Sequence, residues 1–287
     1  MASETRGLVK AVVKLFDTEQ YPIDQPDSAG YRKLIESVGA DLSNCNCARL
    51  RNLFSLTTLK NVQREAQELA PDAVFQSADL NAYFTKPPQH LSETHSLRRT
   101  FPRRHGMVRG DAFSRDGEIW AAFQSEELLR FIRDVLGFPR LHHYRDPFAC
   151  VNVNVQPPGC EFPWHFDNND FTVSFGLTEP QDGGVFEYVP NLRSHENENF
   201  RDVERVLDGD RSRVHQLILN PGDLQLFRGG YTLHRVTTPL DHERHSLLFS
   251  GLYFDYKYVR SVFHPILVFI PRSIFDFLRD ILYLPHS

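Results

Sequence analysis

Apolar positions along the first 140 residues recur with the spacing of a helix. Tyr31 to Val38 and Leu59 to Leu69 carry them at helical intervals, and Pro71 stops the second run. Ser125 to Gly137 is the clearest case. It has a Ser able to cap, Glu126 and Glu127 in the first turn, an apolar stripe and a terminal Gly. Between residues 86 and 109 the chain is rich in Pro, His and Arg and reads as a long loop. After about residue 145 the period changes to two. Val151-Asn152-Val153-Asn154-Val155 alternates strictly, as a half-buried strand does, and Pro157-Pro158-Gly159 ends it. Further strands are predicted at Thr172 to Leu177, Gly184 to Val189, Val214 to Leu219, Leu224 to Phe227 and Ser246 to Phe254, with a turn at Pro221-Gly222-Asp223. Helices first and short strands second predict an α+β chain, one mixed domain wrapped around an antiparallel sandwich or barrel.

Composition narrows the class. A chain of 287 residues that is 41% hydrophobic and 24% charged is neither disordered nor fibrous, and it is long enough for one large core. The formal net charge of −5 shows no basic excess, which disfavours nucleic acid or an anionic membrane as the main partner. The cysteines (Cys45, Cys47, Cys150 and Cys160) are too scattered for a disulfide framework, so free thiols in a reducing, cytoplasmic setting are expected. Leu8 to Phe16 is interrupted by Lys10 and Lys14 and reads as amphipathic, not as a signal-peptide core. Ile266 to Ile270 stops at Pro271, well short of the roughly 18 apolar residues a membrane span requires. A soluble protein without a transmembrane segment is expected, of no stated oligomeric order.

Of the 13 histidines, His165 alone is followed two residues later by an acid, Asp167. On an extended segment such side chains point the same way, so an imidazole and a carboxylate reach one metal ion from one side. His234, after the Leu224 to Phe227 strand and a Gly229-Gly230 turn, is the best placed third ligand. Two His and one carboxylate on one face of an octahedral ion leave three positions open, the arrangement of non-haem Fe(II) oxygenases. His-x-Asp also arises by chance in chains of this size. Ten residues past His234, Arg244 followed by Ser246 adds a guanidinium fork suited to a distal carboxylate. Taken without the histidines, Arg244 reads as a solvated charge at a strand entry.

His165-Phe166-Asp167, His234 and Arg244-His245-Ser246 together resemble the Fe(II)/2-oxoglutarate-dependent oxygenases. Further segments resemble the branch that holds the free-amino-acid radical halogenases and their hydroxylase relatives: Trp164 to Asp167, Phe171 to Val173, Gly183 to Arg193, Pro221 to Leu224 and Leu233 to Thr237. The likeness runs from about residue 18 to 256 and is densest from 145 onward. It implies a double-stranded β-helix, jelly-roll core over 145–256, with a mainly helical part of the same domain over 1–144. The segment 257–287 is left as an amphipathic C-terminal extension that packs on the domain's own surface, serves a dimer or lies on a membrane.

The resemblance also implies a catalytic, metal-holding set of His165, Asp167 and His234 around Fe(II). Arg244 and Ser246 would hold the far end of 2-oxoglutarate, with O₂ as the second co-substrate. Asn154 would either bond 2-oxoglutarate or satisfy the sheet. Halogenases of the branch carry Gly where this chain has Asp167, freeing a metal site for chloride, so oxygenase chemistry is expected here. The implied reaction oxidises an unactivated C–H bond of a free amino acid or a small amino-acid-derived metabolite, releasing succinate. Oxidative cyclisation or desaturation of a decorated amino acid is the alternative, and a catalytically silent binding module is a reading of another class. Candidate substrate contacts are Trp164 and Asn168, which flank the metal motif, and Arg109. Arg98, Arg99, Arg103 and Arg104 share the loop with Arg109, and one or two of these five would grip a substrate carboxylate. Burial in the core competes for Trp164, and a solvated charged face for the arginines.

Overall fold

Ser28 and Ser125 each cap a helix by accepting a hydrogen bond from the backbone N–H three residues on, at 3.0 and 3.2 Å. In the computed structural model, which describes residues 14–179, 182–194, 196–249 and 251–252, these helices are α1 (Ala29–Cys45) and α4 (Glu126–Leu136). Gly137 closes α4 with φ of 68°, a left-handed cap that suits Gly. The remaining helices are α2 (Leu56–Leu69), α3 (Glu118–Phe123) and α5 (Phe200–Leu207).

The strands are β1 (Cys47–Leu50), β2 (Val74–Leu80), β3 (Phe101–Val108), β4 (His142–His143), β5 (Val151–Gln156), β6 (Phe162–His165), β7 (Thr172–Gly176), β8 (Phe186–Val189), β9 (His215–Leu217), β10 (Leu224–Phe227), β11 (Leu233–Val236), β12 (Arg244–Phe249) and β13 (Gly251–Leu252). They form a large sheet of order β1-β10-β7-β12-β5-β3-β2 and a small one of order β6-β11-β8-β9, with β4 and β13 paired apart. Neighbours in both sheets run antiparallel. Phe227 of the large sheet packs against Phe186 and His234 of the small one, so the two face each other as a jelly roll.

Alternation along β5 divides the large sheet into two chemical faces. Val151, Val153 and Val155 are buried in the main core with Leu42, Val62, Ile119 and Phe131 from the four helices that cover this side. Each such apolar side chain contributes about 1.5–3 kcal/mol on burial, so this face carries much of the stability. The opposite face, with Asn152, Asn154 and Gln156, looks inward toward the small sheet. A second core of Ala82, Tyr83, Trp164, Phe166, Val189, Val203 and Val206 packs α5 on the far side of the small sheet.

Alongside α1 to α4, the described residues up to 144 also contribute β1, β2 and β3 to the large sheet. Part of the predicted loop over 86–109 is β3, paired with β5 at Met107↔Asn154. Its sequence Phe-Pro-Arg-Arg-His-Gly-Met-Val lacks apolar alternation because its inward face carries charged and polar groups. β6 escaped notice for another reason: Pro163 donates no ladder hydrogen bond, which is tolerated because β6 is a sheet edge. The four cysteines are free thiols. Among the described residues no helix is long and apolar enough to cross a membrane. The extension over 257–287 lies outside the described residues.

Candidate active site

His165 ends β6 and pairs directly across the small sheet with His234 of β11. Their ring centroids are 4.1 Å apart, and Asp167 follows His165 just beyond the strand. One carboxylate oxygen of Asp167 is 3.5 Å from Nε2 of both histidines. One donor atom from each of the three residues lies within 4.8 Å of the others, which is room for a single ion. Each imidazole is aimed by the backbone. Nδ1 of His165 is 2.8 Å from the Pro163 carbonyl, and Nδ1 of His234 is 2.8 Å from the Thr232 carbonyl. A carbonyl only accepts, so each Nδ1 carries the proton and each Nε2 offers its lone pair to a metal.

Asp167 is fixed as firmly. The Thr172 hydroxyl donates to its second oxygen at 2.7 Å, and its own N–H donates to the Gly229 carbonyl at 3.0 Å. A Cβ at Gly229 would collide with that carboxylate, so the glycine makes the space the ligand occupies. Burial, reinforced by His234, drives the His165 pKa down to about 4. Burial alone would raise Asp167, but the two imidazoles outweigh it and hold its carboxyl well below the usual range. His165 and Asp167 are thus poised in their metal-binding protonation states.

The large sheet supplies a different kind of site. Arg244 opens β12 opposite Gln156, and Ser246 sits opposite Asn154. Nη1 of Arg244 donates to Gln156 Oε1 at 2.9 Å and to the Ser246 hydroxyl at 3.2 Å. Among the described residues no carboxylate lies within ion-pair distance of this guanidinium, and burial pulls its pKa down to about 10. A cation taken out of water without a counter-ion is costly, so the arrangement fits an anionic ligand that completes it. The donor set fits Fe(II) at His165, Asp167 and His234, and the uncompensated Arg244 fits the far carboxylate of 2-oxoglutarate.

Aromatic rings line the space between. Phe84 and Phe162 lie 5.1 and 4.9 Å from the His165 ring, and Phe227 and Phe186 lie 4.9 and 5.5 Å from His234. The Arg103 guanidinium is held over Phe84 and Phe162 at 4.7 and 4.4 Å, near enough to Asp167 for their charges to interact. His105 meets Phe162 edge-on at 5.0 Å, and burial brings its pKa down to about 4, helped by Arg103.

The other residues singled out in the sequence lie as follows. Asn154 is half-buried on the inward face of β5. Trp164 turns to the opposite face of β6 from His165 and joins the second core, beneath the guanidinium groups of Arg235 and Arg211 at 4.9 and 5.4 Å. Asn168 is exposed in the bend after Asp167. Arg109 is exposed past the end of β3, paired with Asp111 at 3.0 Å and lying over Phe148. Arg98 donates to the Leu91 carbonyl, Arg99 pairs with Asp208, and Arg104 is exposed. Of the five arginines, Arg103 is the one with its guanidinium at the His165 wall. Sequence reasoning missed Phe84, His105, Gln156, Thr172 and Gly229. The period-two spacing of Arg103 and His105, matching that of Asn154 and Gln156, was the available signal.

A family model described as Halogenase D matches residues 31–253. The chain belongs to the halogenase D family. No curated protein matches the sequence. Among solved structures, this family member is similar to a 2OG-Fe(II) oxygenase family oxidoreductase from Burkholderia pseudomallei. The two share 14% identity over 76% of this chain and 90% of that one, with a TM-score of 0.51. It is also similar to the non-heme alpha-ketoglutarate-dependent carbocyclase SnoK from nogalamycin biosynthesis, at 14% identity, 78% and 88% coverage and a TM-score of 0.53. The epimerase SnoN, solved with Fe3+, alpha-ketoglutarate and nogalamycin RO, matches at 12% identity, 77% and 84% coverage and a TM-score of 0.52. These likenesses establish the jelly-roll fold of 2-oxoglutarate oxygenases. Family, fold and donor set agree on an Fe(II)/2-oxoglutarate-dependent oxidoreductase.

Proposed function

We propose that this family member hydroxylates an unactivated C–H bond of a free amino acid or a small amino-acid-derived metabolite, and does not halogenate it. The observation that carries the proposal is the Asp167 carboxylate, 3.5 Å from both imidazole Nε2 atoms and locked by Thr172 and Gly229. A protein oxygen there would fill the place on the metal that a halide requires. Iron held at this site would, with O₂ as oxidant and 2-oxoglutarate leaving as succinate and CO₂, supply the oxidising power for C–H cleavage.

The chain's residues do the rest. His165, Asp167 and His234 hold the metal on one face. Arg244 and Ser246 anchor the far end of the co-substrate, with Asn154 beside Ser246. Phe84, Phe162, Phe186 and Phe227 exclude water from the reacting centre. Arg103, stacked between two rings and without a carboxylate at ion-pair distance among the described residues, holds the substrate carboxylate and so sets which carbon faces the metal.

The test is aerobic turnover with Fe(II), 2-oxoglutarate and excess chloride over a panel of free and N-modified amino acids, followed by succinate release and product mass. A substrate-dependent gain of one oxygen is expected. A chlorinated product from the unaltered protein would overturn the proposal, and a product lighter by two hydrogens would replace it with ring closure or desaturation.

A further inference from the structure

His105, Gln156 and Arg244 form one straight row across the large sheet. The β12–β5 register places Arg244 opposite Gln156, and the β3–β5 register, with Gly106 opposite Val155, places His105 on the other side of Gln156. Gln156 in the middle is 1% exposed. Its Oε1 accepts from Arg244, and its Nε2 is buried without a partner. The orientation of the amide is decided by chemistry, because a guanidinium only donates and so must face the oxygen. Nε2 is therefore left as a donor beside a cation that itself lacks an acid. An unsatisfied buried N–H costs about 1–3 kcal/mol, and this one, beside a buried cation without a counter-ion, points to a missing acceptor.

We infer that Gln156 is a third donor, with Arg244 and Ser246, for the far carboxylate of 2-oxoglutarate. The inference rests on the co-substrate reading of the Arg244 pocket. Gln156 acts twice: Oε1 holds Arg244 in its fork geometry, and Nε2 donates to the carboxylate that the fork receives.

The experiment is anaerobic titration of the Fe(II)-loaded full chain with 2-oxoglutarate, followed by the visible charge-transfer band of the keto acid on iron. Titration with 2-oxobutanoate, which has the same keto acid but no far carboxylate, runs in parallel. Gln156→Met removes both polar atoms, whereas Gln156→Glu keeps the acceptor for Arg244 and removes the donor. Circular dichroism and Co(II) affinity report that each variant is folded with its metal site intact. The 2-oxoglutarate Kd is expected to rise about 10- to 100-fold in Gln156→Met and at least as much in Gln156→Glu, with the 2-oxobutanoate Kd unchanged. Normal 2-oxoglutarate affinity in Gln156→Glu would reduce the residue to a support for Arg244 and overturn the inference. Equal weakening toward both keto acids, or a raised substrate KM with unchanged 2-oxoglutarate Kd, would overturn it too. Failure of the unaltered protein to bind 2-oxoglutarate would instead overturn the co-substrate reading itself.

Discussion

The two sheets face each other but are finished to different degrees. At the metal site on the small sheet each group has its internal partner: His165 and His234 are tethered to carbonyls, and Asp167 to a hydroxyl and a backbone carbonyl. On the inward face of the large sheet, polar atoms stay open. Arg244 has no acid within ion-pair distance among the described residues, and Arg103 Nε, His105 Nδ1 and Gln156 Nε2 are buried without partners. The small sheet is a preformed socket for a bare ion. On the proposed function, the large sheet is completed by organic anions. Stability and binding are therefore aligned on the small sheet and opposed on the large one, where the groups kept for ligands destabilise the empty protein.

The sharpest way to break this contrast is Asp167→Gly. Hydroxylation is expected to be abolished, since the metal loses one of three protein ligands. Assay with chloride or bromide then reports whether the vacated position redirects the reaction, and unimpaired hydroxylation would remove Asp167 from the ligand set. Next in size is Arg244→Met. The 2-oxoglutarate Kd should rise by more than about 100-fold while metal affinity stays unchanged. The ligand-free variant should melt no lower than the unaltered protein, because a buried cation without a counter-ion has been removed. Saturating 2-oxoglutarate should raise the Tm of the unaltered protein and not that of the variant.

Thr172→Val tests the finish of the small sheet. Losing the hydroxyl that holds Asp167 should weaken metal binding about 10- to 100-fold, measured by Co(II) titration, with the keto-acid site intact. Acid has a smaller and graded effect. His165 and His105, displaced from 6.5 to about 4 by burial, are neutral in the fold where the unfolded chain is protonated. Between these values the unfolded state binds more protons, so the metal-free protein should lose stability steadily as pH falls from 6.5 toward 4. Denaturant melts across that range measure it, and metal binding should restore part of the loss. The smallest effect belongs to Trp164→Phe. On the outer face of the small sheet it should cost about 1 kcal/mol in stability and leave metal affinity and turnover unchanged.

Legibility followed the same division. Where a face serves the apolar core, local pattern sufficed: Ser125 and Gly137 bracket α4 as its sequence requires, and the valines of β5 mark the buried side. The metal-binding spacing was readable because His165 and Asp167 adjoin, and Arg244 because it stands two residues from Ser246. β3 was unreadable because it presents Arg103, His105 and Met107 inward, defeating the alternation that announces a strand. Gln156 was hidden differently. It reads as the polar end of a strand, and its partnership with Arg244, 88 residues away, exists only through the β5–β12 register. α5 carried Phe200, Val203 and Val206 at helical intervals, a signal present in the chain and not used.

The direct cross-strand pairing of His165 with His234 has one more consequence. The two histidine backbones stand one strand spacing apart, about 4.7–4.9 Å, so the footing of the metal site is set by backbone hydrogen bonds before any ion arrives.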